Sequence, residues 1–88
     1  MAQPLAIANE TLRNWGRYLA SDRRLKTDYG KVAETRGGIG LHLYRYKWED
    51  ERDPLRLGVM ADELEKVIPS AVVTHRSGIK MVDYAQVR

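Results

Sequence analysis

The sequence contains no cysteine, no phenylalanine and no long apolar run. Without cysteine it has no disulfide framework, thiolate nucleophile or cysteine zinc site, and two histidines alone do not make a metal centre, so we expect neither a metal nor a cofactor. Its aromatic residues are two tryptophans and five tyrosines, and each carries a polar atom that needs a partner when buried. No stretch approaches the ~20 apolar residues of a membrane span, and the first residues do not resemble a secretory signal. We therefore expect no membrane partner and no Sec export.

The size and the charge of the chain narrow the class of protein. Its 88 residues suffice for one small domain with a modest core, which excludes a two-domain enzyme. Hydrophobic residues make up 43% and charged residues 31%, a balance that is typical of globular domains. The net charge of +3 comes from positive and negative side chains that are interspersed along the chain. We therefore do not expect nucleic acid as a partner.

Two segments carry apolar residues at helical spacing. The first follows a capping residue, Asn9, and its apolar residues are Leu12, Trp15 and Leu19. The second ends before Pro69, and its apolar residues are Met60, Leu64, Val67 and Ile68. The sequence therefore predicts an N-terminal helix and a short amphipathic helix that packs on the rest of the domain.

Residues 39–48 are rich in strand-forming side chains, but their alternation changes phase. The change falls between Leu43 and Tyr44, which predicts either a bulge at that point or a strand with both faces partly covered. Residues 57–59 predict a further short strand.

A β-hairpin is the clearest local feature near the C-terminus. Residues 71–75 and 79–82 are β-branched runs on either side of a turn that contains Gly78. Residues 21–36, by contrast, are polar and lack periodicity, so they are interpreted as turn and loop. Together these elements predict an α+β fold, a small antiparallel sheet with a short packed helix and an N-terminal helix.

Ser21 and Lys26 are the one pair of side chains that could carry out covalent chemistry. A serine hydroxyl needs a base to take its proton, and a lysine can be that base only when its pKa falls from about 10.4 to roughly 7–8. A separation of five residues places the two side chains on different faces of a helix or a strand, so they meet only across a turn. On spacing alone, the alternative is a capping serine and a solvated lysine.

Four sequence blocks, in order, resemble a single family. They are SDRRLK at residues 21–26, YRYK at 44–47, GVMADELEKVIP at 58–69 and GIKMVDY at 78–84. The blocks are similar to the C-terminal intramolecular chaperone domain of phage tail fibres and tailspikes, the endosialidase-type domain that is also classed as a self-cleaving peptidase. The resemblance covers residues 21–84, roughly three-quarters of the chain.

The resemblance implies a function and a site. Domains of this family follow a trimeric β-rich fibre, help the three chains find their register and then cut themselves off. Carried over, Ser21 would be the nucleophile, Lys26 its general base and Ala20–Ser21 the bond that is cleaved. In the same motif, Leu25 would bury the turn that joins the pair, and Arg23 or Arg24 would contact the upstream fibre. The residues implied to support the site are Asp22, Arg23, Arg24 and Leu25.

On this basis we expect an N-terminal helical leader, residues 1–20, and a chaperone-like domain, residues 21–88, with a C-terminal helix that would be cut short. The expected partners are the upstream fibre polypeptide and two further copies of the chain, in a homotrimer. The expected location is the phage tail, or the host cytoplasm during virion assembly. The alternative function is a structural cap or trimerisation module that stays attached and never cleaves.

Overall fold

A computed structural model describes residues 18–88 of the protein. In this part of the chain the strands are β1 Tyr18–Ala20, β2 Lys26–Glu34, β3 Gly40–Tyr46, β4 Arg56–Gly58, β5 Val72–Thr74 and β6 Lys80–Asp83. The helical elements are the α-helix α1 Ala61–Val67 and the 3-10 helices Arg23–Leu25, Pro69–Ala71 and Tyr84–Gln86. No helix within residues 18–88 is long and apolar enough to cross a membrane.

The strands form two antiparallel sheets of three strands each. The first has the order β1-β6-β5 and the second the order β2-β3-β4. The predicted α+β fold with a single small sheet is therefore wrong, because the described part of the chain is mostly β with one short helix. The predicted helix before Pro69 and the predicted hairpin are confirmed as α1 and as the β5–β6 pair.

The predicted N-terminal helix is wrong where it reaches the described residues. Leu19 lies in β1 and pairs with Val82 of β6, with Tyr18 and Ala20 paired on either side of it. A helix of about ten residues is marginal in water, whereas β6 has a free edge whose backbone groups can form hydrogen bonds with this segment. The remainder of the predicted helix lies outside the described residues.

β2 occupies most of the segment that was expected to be loop. Its first residue, Lys26, is buried, but nearly all of its other residues are exposed, which explains the lack of an apolar pattern. Pairing with β3 stabilises it, and the register shifts between Asp28 and Gly30 and between Lys31 and Ala33. Gly30 adopts a φ of 118°, which favours glycine at the first of these irregularities.

β3 alternates regularly, and its buried residues are Gly40, His42, Tyr44 and Tyr46. The residues between them are only half-buried, so of the two sequence interpretations the strand with both faces partly covered is correct. The bulge lies in the partner strand instead.

One cluster of the core joins the two sheets. Its members come from β1, β3, β6 and the segments beside them, and they are Ala20, Leu25, Tyr44, Tyr46, Met60 and Met81. Because Ala20 and Leu25 both belong to this cluster, the turn between them is held against the core.

Candidate active site

Ser21 lies at the end of β1, where its backbone is fixed on both sides. Its amide donates to the carbonyl of Lys80 at 3.1 Å, and its own carbonyl accepts from the amide of Ala61 at 3.0 Å. Its side chain is almost completely buried, with 1% exposure. The peptide at this position therefore has little freedom to rotate.

Asp22 holds the turn that follows. Its carboxylate accepts hydrogen bonds from the backbone amide of Arg24 at 2.9 Å, from the Arg24 guanidinium and from the backbone amide of Lys80 at 2.9 Å. Burial would raise the pKa of Asp22, but these hydrogen bonds outweigh it and lower the pKa to about 2. Asp22 is therefore ionised at neutral pH and caps the 3-10 helix.

The 3-10 helix reverses the chain and brings Lys26 back to Ser21. Lys26 Nζ donates to Ser21 Oγ at 2.8 Å, although the two residues are five apart in sequence. Leu25, between them in the chain, is buried in the core cluster. Lys26 itself is 4% exposed, so the solvated lysine of the alternative interpretation is not what the fold produces.

A backbone carbonyl completes the polar contacts of the pair. The oxygen of Val59 accepts from Ser21 Oγ at 2.7 Å and from Lys26 Nζ at 2.9 Å. Lys26 Nζ also lies 4.1 Å from the centre of the Tyr44 ring. The serine and the lysine are thus held in one small buried site.

The environment of Lys26 disfavours its positive charge. Burial is the largest cause and the nearby charge of Arg23 adds to it, and together they lower the pKa of Lys26 to about 7. The carboxylates around the site, Asp22, Asp28 and Asp62, act in the opposite direction. A substantial fraction of Lys26 is therefore neutral near pH 7 and can accept a proton.

The two arginines of the motif make their described contacts inside the domain. Arg23 forms ion pairs with Asp28 at 3.1 Å, with Asp62 at 3.1 Å and with Glu63 at 2.9 Å. Arg24 donates to Asp22 at 2.8 Å and to the carbonyl of Gly78 at 2.6 Å. These contacts tie the turn to β2, α1 and the hairpin.

Sequence reasoning missed a buried histidine in the same network. His42 Nδ1 lies 3.1 Å from Asp28 and its Nε2 lies 2.9 Å from Glu63, both of which also contact Arg23. The sequence predicted that His42 lies in a strand, but the strand pattern did not show which face of that strand is buried.

Sequence reasoning also missed Tyr46. Its hydroxyl donates to the carbonyl oxygen of Ala20 at 2.8 Å, within the peptide bond that the resemblance implies is cleaved. Tyr44 and Tyr46 lie on the same face of β3, two residues apart, and this alternation was the available signal. The candidate site therefore consists of Ser21, Lys26, the carbonyl of Val59 and two tyrosines.

Comparison with known proteins identifies the domain. The family described as chaperone of endosialidase matches residues 21–73, which is more than half of the chain and begins at Ser21. Neither the comparison with curated proteins nor the comparison with solved structures gives a match. The family match confirms the resemblance and covers the first three of the four sequence blocks, whereas the fourth, residues 78–84, follows the matched residues. The chain therefore belongs to the chaperone of endosialidase family.

Proposed function

We propose that the domain assists the folding and assembly of a trimeric tail fibre or tailspike ahead of it in the chain, and then cleaves the chain between Ala20 and Ser21. Membership of the family implies the chaperone role and the context of phage tail assembly. One observation carries the cleavage proposal, the 2.8 Å contact between Lys26 Nζ and Ser21 Oγ in a buried site.

The first chemical step transfers an acyl group within the chain. The Ser21 hydroxyl turns its hydrogen from the Val59 carbonyl to neutral Lys26, which takes the proton, and Oγ attacks the carbonyl carbon of Ala20. The bond between that carbon and the Ser21 nitrogen breaks while an ester bond to Oγ remains, and the proton passes from Lys26 to the nitrogen. Nucleophile and carbonyl belong to adjacent residues, so the covalent chain supplies their proximity.

The second step consumes one water molecule. Lys26 takes a proton from the water, and the resulting hydroxide adds to the ester carbon. The bond to Oγ then breaks, and Ser21 regains its proton from Lys26. The products are a carboxyl group at Ala20 and a free amino group at Ser21, so the net reaction is hydrolysis of one amide bond.

The direct test is the intact mass of the chain produced behind a fibre stalk. We expect a fragment that begins at Ser21 and a complementary stalk that ends at Ala20. Ser21→Ala should leave the fusion uncut, whereas the matched control Ser70→Ala, which changes an exposed serine, should cleave as the wild type does. Equal yields of fragment from wild type, Ser21→Ala and Lys26→Ala would refute the proposed cleavage.

The same fusions test the chaperone role separately. Light scattering should find trimeric stalk with the wild-type domain and also with Ser21→Ala, where the domain stays attached. Deleting residues 21–88 should reduce the trimeric fraction. A stalk that trimerises equally well without these residues would contradict the chaperone role for this fibre, whatever the outcome for cleavage.

The cleavage rate should depend on pH through Lys26. Because burial lowers the pKa of Lys26 to about 7, the neutral base is scarce below pH 7 and predominant above it. We expect the first-order rate after refolding to rise about tenfold per pH unit below pH 7 and to level off above it. A rate that is constant between pH 5 and 9, or that keeps rising beyond pH 10, would contradict Lys26 as the general base.

A further inference from the structure

We propose that Tyr46 is a catalytic residue whose hydroxyl stabilises the negative charge that develops on the carbonyl oxygen of Ala20. This inference rests on the proposed cleavage between Ala20 and Ser21. Its basis is the hydrogen bond of 2.8 Å from the Tyr46 hydroxyl to that oxygen. The tyrosine touches the reacting group itself, on the carbonyl side of the bond.

The proposed reaction needs a donor at this oxygen. When Ser21 Oγ adds to the carbonyl carbon, the double bond opens and negative charge moves onto the oxygen of Ala20. A donor between 2.7 and 3.1 Å from this oxygen meets the usual geometry of an oxyanion site. Ala20 is 1% exposed and Tyr46 is 6% exposed, so the protein rather than bulk water has to supply that donor.

The ring of Tyr46 is held in place before the reaction starts. It stacks on Trp48 with ring centres 4.5 Å apart and an angle of 8° between the planes. Tyr44 packs against it edge to face, at 5.4 Å and 85°. A donor that is already fixed does not have to reorganise as charge develops, which is the property that makes such donors effective.

A second layer of contacts fixes the strand that carries Tyr46. The guanidinium of Arg56 lies 5.2 Å from the centre of the Tyr46 ring. Glu49 binds that guanidinium through both carboxylate oxygens and also accepts from the backbone amide of Tyr46 at 2.8 Å. Both the side chain and the backbone of Tyr46 are therefore positioned by the same ion pair.

The opposite side of the peptide is held as well. The amide of Ser21, which becomes the leaving group, donates to Lys80, and the Ser21 carbonyl accepts from Ala61. These bonds oppose rotation of the peptide plane that would carry the Ala20 oxygen away from Tyr46. Two side chains on one face of β3 thus contact the reacting groups: Tyr44 contacts Lys26, the proposed base, and Tyr46 contacts the carbonyl oxygen of Ala20.

The test begins with Tyr46→Phe in the full chain behind a fibre stalk. This change removes one hydroxyl and keeps the stacked ring, so we expect cleavage about 100- to 1,000-fold slower, the usual effect of losing one oxyanion donor. The midpoint of the rate near pH 7 should not move, because Lys26 is untouched. The control Tyr29→Phe changes an exposed tyrosine and should cleave at the wild-type rate.

A second variant gives a readout that a merely structural role would not produce. A tyrosine with fluorines on its ring, placed at position 46, keeps the shape but loses its hydroxyl proton at lower pH. Once ionised it cannot donate, so the rate should fall again at high pH, where the wild type stays level. This variant also serves if Tyr46→Phe fails to fold.

The outcomes separate this inference from the function on which it rests. If wild type cleaves and both Tyr46 variants cleave with its rate and its pH profile, the role of Tyr46 is refuted and cleavage by Ser21 and Lys26 stands. If wild type does not cleave, the proposed cleavage falls, and the role of Tyr46 falls with it. A slow Tyr46→Phe together with a descending limb in the fluorinated variant supports the inference.

Discussion

Replacing Lys26 with methionine should abolish the proposed cleavage and, below pH 7, raise the free energy of unfolding. Methionine has a similar length but cannot take a proton, so Ser21 would lose its proposed base. The gain in stability follows from the pKa of Lys26, which is about 7 in the folded protein against 10.5 for an ordinary lysine. Below pH 7 the folded state has to carry a buried charge, at a cost of about 5 kcal/mol.

The change in the free energy of unfolding caused by Lys26→Met depends on pH, and this dependence sets the pH range of the experiment. The cost is fully present below pH 7, decreases as the pH rises towards 10.5 and is absent above it. In a Ser21→Ala background, which lacks the serine hydroxyl, methionine also loses the hydrogen bond to Val59, worth about 1 kcal/mol. We therefore expect a net stabilisation of about 4 kcal/mol at pH 5.5 that disappears by pH 10.

Urea denaturation at the two pH values measures this difference. The variants are best compared in a Ser21→Ala background, so that no chain is cleaved during the measurement. Lys47→Met, which changes an exposed lysine, is the matched control and should alter stability little at either pH. A Lys26→Met protein that is destabilised equally at pH 5.5 and pH 10 would show that Lys26 is not held in a charge-disfavouring site.

Replacing Asp22 with alanine should destabilise the domain by about 3 kcal/mol and slow the proposed cleavage. Asp22 is buried, and its removal leaves the backbone amides of Arg24 and Lys80 without their acceptor. Each such amide costs about 1–3 kcal/mol when it is unsatisfied, and the amide of Arg24 is the one that Asp22 caps at the start of the 3-10 helix. The turn that joins Ser21 to Lys26 also loses the group that holds it.

The pH dependence of the Asp22 effect has the opposite direction to that of Lys26. The pKa of Asp22 is lowered from 3.8 to about 2, so its contribution to stability is complete above pH 3.8 and is lost as the pH falls through 2. Denaturation at pH 7 and pH 2 measures the difference between wild type and variant. Asp50→Ala removes a carboxylate from an exposed ion pair and should change stability by less than about 0.5 kcal/mol. An equally small effect of Asp22→Ala would refute the structural role.

Several features of the site could be predicted from the sequence. The motif at residues 21–26 identified Ser21 and Lys26 as a pair, and the rule that they meet only across a turn agrees with the 3-10 helix between them. The amphipathic pattern before Pro69 predicted α1, because helical periodicity is a local property. The hairpin was predicted for the same reason.

The strands that the sequence did not predict depend on pairing with another strand, which is distant along the chain for β1 and is the next strand for β2. β1 forms because β6 presents an open edge, and β2 forms because β3 does, although their own residues carry no clear strand pattern. A segment with little strand propensity of its own can therefore form a strand when another strand supplies its backbone hydrogen bonds. This is why the α+β prediction was wrong.

The amino-acid order alone was enough to identify the family and to propose the serine and the lysine as a pair, since all three depend on residue types in short blocks. The chemistry available to those residues comes from contacts between segments that are 26 to 38 residues apart: Tyr46 with Ala20, Lys26 with Val59, and Ser21 with Val59. Folding brings these segments together and removes water from Lys26, and a pKa responds to the removal of water rather than to neighbours in sequence. The base and the oxyanion donor of the proposed reaction exist as such only in the folded domain.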